Sequence, residues 1–358
     1  MYRNTKNVPY YVFGRGSLAQ LGDLLNPRRE AVDGPVVYFV DHFFRDHELI
    51  GRLPMEKGDQ LHFVDSSSEP EVTRIDAFKE AVSAADSRTP CCVVGIGGGN
   101  ALDTAKAVAN LLTNPGKAED YQGWELVKNP AVYKIGIPTL SGTGSECSRT
   151  CVLTNIPKNL KLGMNSDYTV YDQLLLDPDL LATVPRDQYF YTGIDTFMHC
   201  VESLQGSYRN AIIDAFSVRA VQLCEEIFLS DDMMSEDNRE KMMIASYIGG
   251  MAAGNVGVIH PFSAGLGVVL HVAHGLGNCL ALNVLGDIYP KEYKQFRTMI
   301  ERQGVNLPTG ICKDLTKEQY EGLYRGCIVH EKPLTNALGP DFKQILTREN
   351  LIERYKSI

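Results

Sequence analysis

The stretch CCVVGIGGGNALDTAK, residues 91–106, decides the fold class of this chain. An apolar run leads into four glycines among five residues, and a helical pattern then extends over 102–112. Glycines let the backbone approach a ligand closely, and the first N–H groups of a helix attract an anion. The stretch therefore predicts a strand, a phosphate-binding turn and a helix. A tight turn without a ligand is the alternative, because the spacing differs from the G-x-G-x-x-G of dinucleotide-binding proteins.

The flanking segments repeat this alternation before the pattern changes. Apolar strand-like runs lie at 36–40 and 134–139, and a helical pattern lies between them at 71–85. Beyond Pro185 the strand signals fade and long helical patterns follow, at 188–204, 210–229 and 239–251. Such a pattern is typical of a doubly wound parallel sheet that is followed by a helical domain. We predict an α/β fold with a Rossmann-like parallel-sheet domain over 1–183 and an all-helical domain over 184–358.

Length and composition describe an ordinary globular protein of about two domains. The chain has 358 residues, of which 44% are apolar and 22% charged, far from a disordered composition. Its 44 acidic residues outnumber its 35 lysines and arginines, which gives a net charge of −9. An acidic, unclustered charge argues against nucleic-acid binding, which needs a basic face. We therefore expect a small-molecule substrate and no nucleic acid.

Three features predict a cytoplasmic protein that does not enter a membrane. The nine cysteines lack a metal-binding or disulfide spacing, which is typical of reduced, buried thiols. The N-terminal sequence MYRNTKNVPYYVFGRGS lacks the apolar core of a signal peptide. Residues 242–286 contain no Asp, Glu, Lys or Arg, but polar residues such as Asn255 interrupt them too often for a membrane span. We interpret this charge-free region as helices buried inside a large domain.

Two further segments offer groups for a nucleotide. Asp41 ends the strand at 36–40, where a carboxylate accepts hydrogen bonds from a ribose 2′-hydroxyl and repels a 2′-phosphate. That position favours NAD over NADP, and a helix cap or solvated turn residue is the alternative. The run IPTLSGTGSE, residues 137–146, places small hydroxyls and glycines after a strand. These groups suit phosphate oxygens or a carboxamide, with a plain Ser/Gly loop as the alternative.

The chain's strongest signal is a set of metal-ligating residue types. Asp195 and His199 are four apart in a helical pattern, which places both on one helix face. His260 and His274 lie in the charge-free region, where a lone histidine is more often a satisfied core residue. Three imidazoles and a carboxylate suit a divalent transition metal that keeps an open position for substrate. We therefore predict a metal site at these four residues.

Taken together, these segments resemble the iron-containing (group III) alcohol dehydrogenase family. The resemblance extends over about residues 10–286 and rests on GGGNALDTAK, IPTLSGTGSE, DPDLLATVP, GIDTFMHCVES and the two spaced histidines. It implies a dehydroquinate synthase-like architecture, with the active site in the cleft between an NAD-binding domain and a helical metal-binding domain. Dehydroquinate synthase and glycerol-1-phosphate dehydrogenase share this architecture but match the motifs less well.

The resemblance assigns roles to particular residues. It implies that one Fe²⁺ or Zn²⁺ per chain is ligated by Asp195, His199, His260 and His274. It implies that the pyrophosphate of NAD is held by Gly97, Gly98, Gly99 and Asp103. It implies that the rest of the NAD site is lined by Asp41, Asn100, Thr139, Thr143, Ser145, Lys161 and Leu180. Asn100 stands where many relatives have serine, and either side chain can form a hydrogen bond.

Two departures from the family concern the proton and the substrate. Ala264 stands where many relatives carry a histidine near the nicotinamide, so His271 becomes the candidate proton relay, with core packing or support of the ligands as the alternative. The short C-terminal segment resembles members that oxidise the C8 alcohol of the sugar acid Kdo (3-deoxy-D-manno-octulosonate) in 8-amino sugar biosynthesis for lipopolysaccharide. An anionic substrate needs cationic partners, for which Arg149 is the candidate, with a surface salt bridge as the alternative.

The resemblance thus implies a homodimeric oxidoreductase that uses NAD and a metal to oxidise a primary alcohol to an aldehyde. Hydride passes from the carbinol carbon to the nicotinamide in such a reaction. Three alternatives stay open at this point. One is an NAD-recycling lyase or cyclase of the dehydroquinate synthase type, and another is a dehydrogenase of simple alcohols or diols. The third is a binding or regulatory protein that has lost turnover.

Overall fold

A computed structural model describes residues 6–158 and 160–358 of the chain. These residues form two compact units. The first unit extends to Leu140 and resumes over Ser145–Thr183, and the second comprises Ser141–Gly144 and Val184–Ile358. The segment Ser141–Gly144 therefore belongs to the second unit, although the predicted boundary assigns it to the first domain.

A parallel sheet lies at the centre of the first unit. The strands of this unit are β1 (Tyr10–Phe13), β2 (Val36–Asp41), β3 (Gln60–Val64), β4 (Cys92–Gly97), β5 (Gly123–Trp124), β6 (Lys134–Pro138), β7 (Thr150–Asn155), β8 (Leu160–Asn165) and β9 (Gln173–Leu176). Six of them form the main sheet in the order β1-β9-β6-β4-β2-β3, and all its neighbours pair in parallel. A smaller sheet has the order β5-β8-β7, with β7 and β8 antiparallel.

Helices cover both faces of the main sheet, which explains why its inner strands are apolar throughout. The helices of this unit are α1 (Leu21–Ala31), α2 (Val72–Ala85) and α3 (Gly99–Leu111). Val37 and Phe39 of β2 pack in one buried cluster with side chains of α2 and α3. Tyr38 and Val40 point the other way and pack in a second cluster with side chains of α1. This alternation is the period-two pattern of a strand that is buried on both sides.

The second unit is helical. Its helices are α4 (Arg186–Gln205), α5 (Ala211–Phe228), α6 (Glu236–Gly249), α7 (Ile259–Leu270), α8 (His274–Val284), α9 (Pro290–Gln303), α10 (Lys317–Ile328), α11 (Glu331–Leu338), α12 (Phe342–Ile345) and α13 (Arg348–Lys356). Helix α4 packs against α5 and α8, and α7 packs against α8 and α10. The most apolar helices, α7 and α8, carry the charge-free sequence. The predicted fold class, a Rossmann-like parallel-sheet domain and a helical domain, is confirmed.

The nine cysteines and most of the charge-free region are buried. All nine cysteines are free and buried. Within the described ranges, no single helix is long and apolar enough to cross a membrane. One pair, Glu236–Asn255 with Ile259–Leu270, passes that test together by length and composition, but it is bent by 92°.

Candidate metal centre and cofactor site

Helix α4 presents three buried polar side chains on one face. Asp195, His199 and Glu202 follow one another at spacings of four and three, so that they lie on successive turns of the same side. Each has at most 4% of its surface exposed in an otherwise apolar environment. Burying such groups is costly unless they are paired or bind a cation. These three residues of α4 therefore form a polar stripe inside the core of the helical unit.

The two distant histidines join this stripe from the starts of two other helices. His260 lies in the first turn of α7 and His274 begins α8. The Nε2 atom of His260 is 3.2 Å from Oδ1 of Asp195, and Nε2 of His274 is 3.5 Å from Oδ2. One ligand atom from each of these three residues lies within 4.8 Å of the other two. The structure therefore brings together three of the four predicted metal ligands as a compact donor set.

His199 lies beside this set at a slightly greater distance. Its Nε2 atom is 3.8 Å from Oδ1 of Asp195, and its ring stacks on that of His260 with centroids 4.4 Å apart. Among the described residues, Nδ1 of His199 and Oδ2 of Asp195 are buried without a hydrogen-bond partner. Buried donors and acceptors without a hydrogen-bond partner are uncommon in the core of a folded protein. All four residues thus fit a divalent cation, since imidazole and carboxylate are ligands that iron and zinc both accept.

Glu202 is a functional residue that the sequence analysis did not identify. Its Oε2 atom lies 2.5 Å from Nδ1 of His260, while Oε1 accepts hydrogen bonds from the Ile259 N–H at 2.6 Å and the Tyr289 hydroxyl at 3.3 Å. A carboxylate on one imidazole nitrogen fixes the ring and directs the other nitrogen to a metal. Glu202 therefore orients His260 toward Asp195. Its position one turn beyond His199 on an apolar helix is the signal that could have found it.

Asn278 is the second residue that the sequence analysis missed. It lies one turn after His274 on α8, and its Nδ2 atom donates to Oδ1 of Asp195 at 2.6 Å. The same nitrogen is 3.4 Å from Nε2 of His260 and 3.3 Å from Nε2 of His274. Asn278 therefore holds the carboxylate in place among the imidazoles. The spacing of four between His274 and Asn278 repeats that of Asp195 and His199 and could have indicated it.

Burial and mutual charge set the protonation of this cluster. Burial lowers the pKa of His199 to about 4, so this ring is neutral near pH 7. Burial also disfavours a charge on His260, but the Glu202 and Asp195 carboxylates outweigh it and raise the pKa of His260 to about 9. Burial likewise opposes ionisation of Asp195, yet the surrounding histidines hold the pKa of its carboxyl well below the usual range. In the absence of a cation, His260 therefore carries a proton between two carboxylates.

The glycine turn in the first unit has the features of an anion site. Gly97 ends β4 with φ +152°, and Gly99 begins α3. A Cβ atom at Gly97 would lie 2.6 Å from Cβ of Ala101 and 2.9 Å from Cβ of Asp41, so only glycine fits here. Gly98 caps the helix without a side chain, which leaves the first N–H groups of α3 available to a phosphate. The predicted strand, glycine turn and helix are therefore present, and pyrophosphate binding by this turn stays a prediction.

Asp41 has the helix-cap role that was considered as its alternative, and its role at a ribose stays a prediction. It ends β2 beside Gly97 and also caps the short 3₁₀ helix His42–Phe44 by accepting a hydrogen bond from the Phe43 N–H at 3.0 Å. The same oxygen, Oδ1, accepts a second hydrogen bond from the Ser66 hydroxyl at 2.9 Å. The carboxylate is thus held firmly at the edge of the sheet, next to the glycine turn.

Asp103 has hydrogen-bond partners within the first unit. Its carboxylate is buried on α3, where it accepts hydrogen bonds from the Ser145 hydroxyl and from the Val152 N–H at 2.8 Å. Its nearest cation is Lys106, at 3.6 Å. These contacts occupy both oxygens of the carboxylate, and its predicted role at the pyrophosphate stays a prediction. Asp103 fixes Ser145 and the start of β7.

Lys106 completes this arrangement and was also missed by the sequence analysis. Its ammonium group is fully buried and donates to the carbonyl oxygens of Ser145, Ser148 and Thr150, at 2.8, 3.2 and 2.5 Å. Buried lysines are rare unless they are paired. Lys106 therefore clamps the backbone that leaves the hydroxyl-rich loop, and the DTAK sequence at 103–106 provides both clamping residues.

The remaining residues predicted for the NAD site have diverse surroundings. The Thr139 N–H donates to the carbonyl oxygen of Gly97 at 3.0 Å, so Thr139 lies next to the glycine turn. Leu180 is a buried member of the core cluster that contains Ile96. Lys161 of β8 pairs with Glu69 at 2.9 Å. Thr143 lies in Ser141–Gly144 and belongs to the second unit.

The two candidates for catalysis or substrate binding are placed less favourably. Arg149 forms ion pairs with Glu125 at 2.6 Å and Asp167 at 2.7 Å, which is the salt-bridge alternative considered for it. His271 ends α7 in the left-handed conformation, with φ +55°, and its side chain is exposed. Ala264 is buried within α7 and offers no titratable group. Neither candidate therefore gains support from the geometry.

Comparison with known proteins identifies the family. The iron-containing alcohol dehydrogenase description matches residues 9–178, and the C-terminal description of the Fe-containing alcohol dehydrogenase family matches residues 189–320. The chain is 30% identical to 1-propanol dehydrogenase of Citrobacter freundii over 275 residues, which cover 75% of this chain and 69% of that protein. The chain therefore belongs to the iron-containing alcohol dehydrogenase family. Its prediction as an oxidoreductase is confirmed, and NAD with one metal ion are the cofactors of this family.

Two sulfoacetaldehyde reductases are also similar to this chain. The enzyme of Bilophila wadsworthia is 34% identical over 220 residues, which cover 60% of this chain and 56% of the enzyme's own length. The crystal structure of sulfoacetaldehyde reductase from Bifidobacterium kashiwanohense in complex with NAD+ is 23% identical, with a TM-score of 0.79 over 99% of this chain and 98% of that chain. The latter similarity supports the shared fold.

Proposed function

We propose that this protein oxidises a primary alcohol to an aldehyde with NAD and one divalent metal, Fe²⁺ or Zn²⁺. The observation that carries the proposal is the convergence of Asp195, His260 and His274 from three helices, with His199 adjacent. Glu202 directs one imidazole into this cluster, as expected for a metal centre rather than for a structural polar core. The glycine turn after β4 supplies the matching nucleotide site.

The side chains divide the work of such a reaction between them. Asp195 and the three histidines would hold the cation, which when bound supplies a Lewis acid for the substrate oxygen. Asn278 and Glu202 keep Asp195 and His260 in orientation. The first N–H groups of α3 would bind the pyrophosphate of NAD, and Asp41 would accept hydrogen bonds from the adenosine ribose. Holding the reacting carbons in fixed positions is then the main contribution of the protein.

For the substrate we propose a polar sugar acid, with the C8 hydroxyl of Kdo as the specific candidate. The C-terminal segment motivates this choice by its resemblance to the Kdo-oxidising branch. The similarity to sulfoacetaldehyde reductases, named for an anionic aldehyde, supports a polar anionic substrate over an apolar alcohol. Arg149 is not part of this proposal, because its guanidinium is already paired with Glu125 and Asp167.

The test is NADH formation by protein reconstituted anaerobically with Fe²⁺ or with Zn²⁺. The panel contains Kdo, 2-hydroxyethanesulfonate, which is the alcohol of sulfoacetaldehyde, and 1-propanol. We expect absorbance at the NADH wavelength to rise with Kdo and to depend on added metal. A rise only with 1-propanol would retain the dehydrogenase and reject the sugar acid. Product formation without NADH would instead identify a lyase that recycles its cofactor.

A further inference from the structure

Three residues predicted for the NAD site contact one short loop. Residues 65–69, here called the 65–69 loop, follow β3 and precede α2. Asn100 Nδ2 donates to the carbonyl oxygens of Ser66 and Ser68, at 3.3 and 2.9 Å. Ser66 Oγ donates to Asp41, and Lys161 pairs with Glu69 at 2.9 Å. The loop is therefore bonded to the end of β2, to the start of α3 and to β8, although no role was predicted for it.

The contact between Ser66 and Asp41 determines which carboxylate oxygen can meet a ligand. Oδ1 of Asp41 already accepts from the Phe43 N–H at 3.0 Å and from Ser66 Oγ at 2.9 Å. Within the described part of the chain, Oδ2 has no such donor. Since the Asp41 side chain is 14% exposed and adjoins Gly97, Oδ2 is the oxygen that remains for a ribose hydroxyl. Ser66 therefore helps the Phe43 N–H to hold the carboxylate in this orientation.

The contact of Asn100 with the loop removes it from the direct role that its position suggests. Its amide nitrogen donates hydrogen bonds to two carbonyl oxygens of the loop, both at ordinary hydrogen-bond distances. A side chain at the second position of α3 would otherwise be free to meet a phosphate at the helix N-terminus. In this chain the amide instead fixes the backbone of Ser66, whose hydroxyl fixes Asp41.

We propose that Asn100 and Ser66 are positioning residues that act in series on Asp41 and thereby set the preference for NAD over NADP. The inference rests on the proposed role of Asp41 at the adenosine ribose. NAD gains a hydrogen bond from a correctly oriented carboxylate, whereas the 2′-phosphate of NADP meets a fixed negative charge. A carboxylate that is free to rotate forms a weaker hydrogen bond with NAD and repels the 2′-phosphate of NADP less. The affinities for the two cofactors therefore change differently.

The experiment measures NAD+ and NADP+ dissociation constants by isothermal titration calorimetry on metal-loaded protein without any alcohol. The variants are Ser66→Ala, Ser66→Thr, Asn100→Ala and the double variant Ser66→Ala/Asn100→Ala. Ser67→Ala is the matched control, because the Ser67 hydroxyl binds Asp65 within the loop, at 2.6 Å, and does not reach Asp41. Metal content and melting temperature are recorded for each protein, so that a general loss of structure is recognised.

We expect Ser66→Ala to weaken NAD+ binding about tenfold. This is the loss expected when the ribose hydroxyl no longer donates well to the charged Asp41 carboxylate. NADP+ binding should change less than about twofold, so the preference itself falls. Ser66→Thr should restore the preference, because it keeps the hydroxyl, and Ser67→Ala should bind both cofactors as the wild type does. Asn100→Ala should act in the same direction as Ser66→Ala. The double variant should be no weaker than the weaker single variant, since both act on one group.

Other outcomes would overturn the inference. If Asn100→Ala weakens both cofactors equally and adds to Ser66→Ala, Asn100 contacts the pyrophosphate that both cofactors share. If Ser66→Ala leaves the ratio of the two constants unchanged, Ser66 does not position Asp41. A wild-type protein that binds neither cofactor would instead overturn the proposed function, and the inference with it. Because the assay contains no alcohol, an incorrect substrate assignment leaves its result unaffected.

Discussion

Glu202 contacts one of the proposed metal ligands without being a proposed ligand itself. Its carboxylate is fully buried against Nδ1 of His260 at 2.5 Å. We predict that Glu202→Gln weakens Zn²⁺ binding about 10- to 100-fold, the usual loss when such a partner is changed. The amide preserves the size of the side chain but removes the charge that makes His260 a strong ligand. Competition with a chromophoric chelator measures the dissociation constant directly.

The matched control for this change is Glu353→Gln. Glu353 lies on α13, where its side chain is 70% exposed and pairs with Lys356. This variant should bind Zn²⁺ as the wild type does, because an exposed ion pair contributes little. A folded Glu202→Gln protein with an unchanged Zn²⁺ dissociation constant would show that His260 is oriented without Glu202.

The raised pKa of His260 predicts that metal binding depends on pH. With a pKa of about 9, the ring is protonated at neutral pH when no metal is bound, and a cation must displace that proton. We therefore expect Zn²⁺ affinity to rise about tenfold per pH unit from pH 7 and to level off near pH 9. About one proton should be released per Zn²⁺ at pH 7.5, as measured by titration calorimetry in buffers of different ionisation enthalpy. Release of no proton would contradict the assigned state of His260.

At this scale the sequence predicts residues that share an element and misses those defined by distant contacts. Asp195 and His199 follow from a spacing of four on one helix, and the glycine turn follows from steric limits on the backbone. Glu202 and Asn278 share helical spacings with His199 and His274, but their roles depend on partners 58 and 83 residues away, which the spacings alone do not identify. Asp103 is a related case, because its motif was recognised but its partners, Ser145 and Val152, were not.

Among the structural elements, α3 does more than present its N-terminus to a phosphate. Its Lys106 is buried beside Asp103 and fixes three carbonyl groups of the following loop. We predict that Lys106→Met lowers the free energy of unfolding by about 3 kcal/mol, because removing one partner strands a buried carboxylate and several carbonyl oxygens. Urea denaturation followed by circular dichroism measures this change.

A lysine on the neighbouring helix provides the comparison for Lys106→Met. Lys79 on α2 donates to the carbonyl oxygen of Gly116 at 3.0 Å, but in contact with solvent. Lys79→Met should alter the free energy of unfolding by less than about 0.5 kcal/mol, as surface changes usually do. Equal effects of the two substitutions would mean that the clamp on the 145–150 segment is not a source of stability.

Elements with strong periodicity could be predicted, and short elements with distant partners could not. The patterns at 71–85 and 188–204 correspond closely to α2 (Val72–Ala85) and α4 (Arg186–Gln205). The edge strand β1 and the antiparallel pair β7–β8 escaped prediction. Strand β1 pairs with β9, more than 160 residues later, and a four-residue segment does not specify such a partner by itself. The periodicity of apolar residues indicates which face of an element is buried. The pairing of a strand depends on contacts with the rest of the sheet, which its own sequence does not contain.

For the whole molecule, the division into an α/β unit and a helical unit assigns the two sets of candidate site residues to different units. The glycine turn, Asp41 and the 65–69 loop belong to the first unit, and the four predicted metal ligands belong to the second. Composition and element order were sufficient to predict this division. The homodimer and the cytoplasmic location stay predictions, and sedimentation analysis of the metal-loaded protein tests the former.

The segment Ser141–Gly144 is the point at which the chain of the first unit contributes to the second. The Gly142 N–H donates to Ser246 Oγ at 2.8 Å, and the Gly142 carbonyl oxygen accepts from Thr196 of α4 at 2.8 Å. A Cβ atom at Gly142 would lie 1.6 Å from the carbonyl oxygen of Thr192, and its φ of +148° is strained for any other residue. The backbone here therefore has no room to accept a side chain.

We predict that Gly142→Ala lowers the free energy of unfolding by at least about 3 kcal/mol, because the clash involves backbone atoms that cannot move independently of α4. Gly254→Ala is the control, since a Cβ atom there meets nothing within 4 Å and the change should stay within about 0.5 kcal/mol. Thr196 follows the metal-binding Asp195 directly, so we also expect Gly142→Ala to reduce metal content, measured by atomic emission. If Gly142→Ala is as stable as the control, the segment does not pack on α4, and its assignment to the helical unit is wrong.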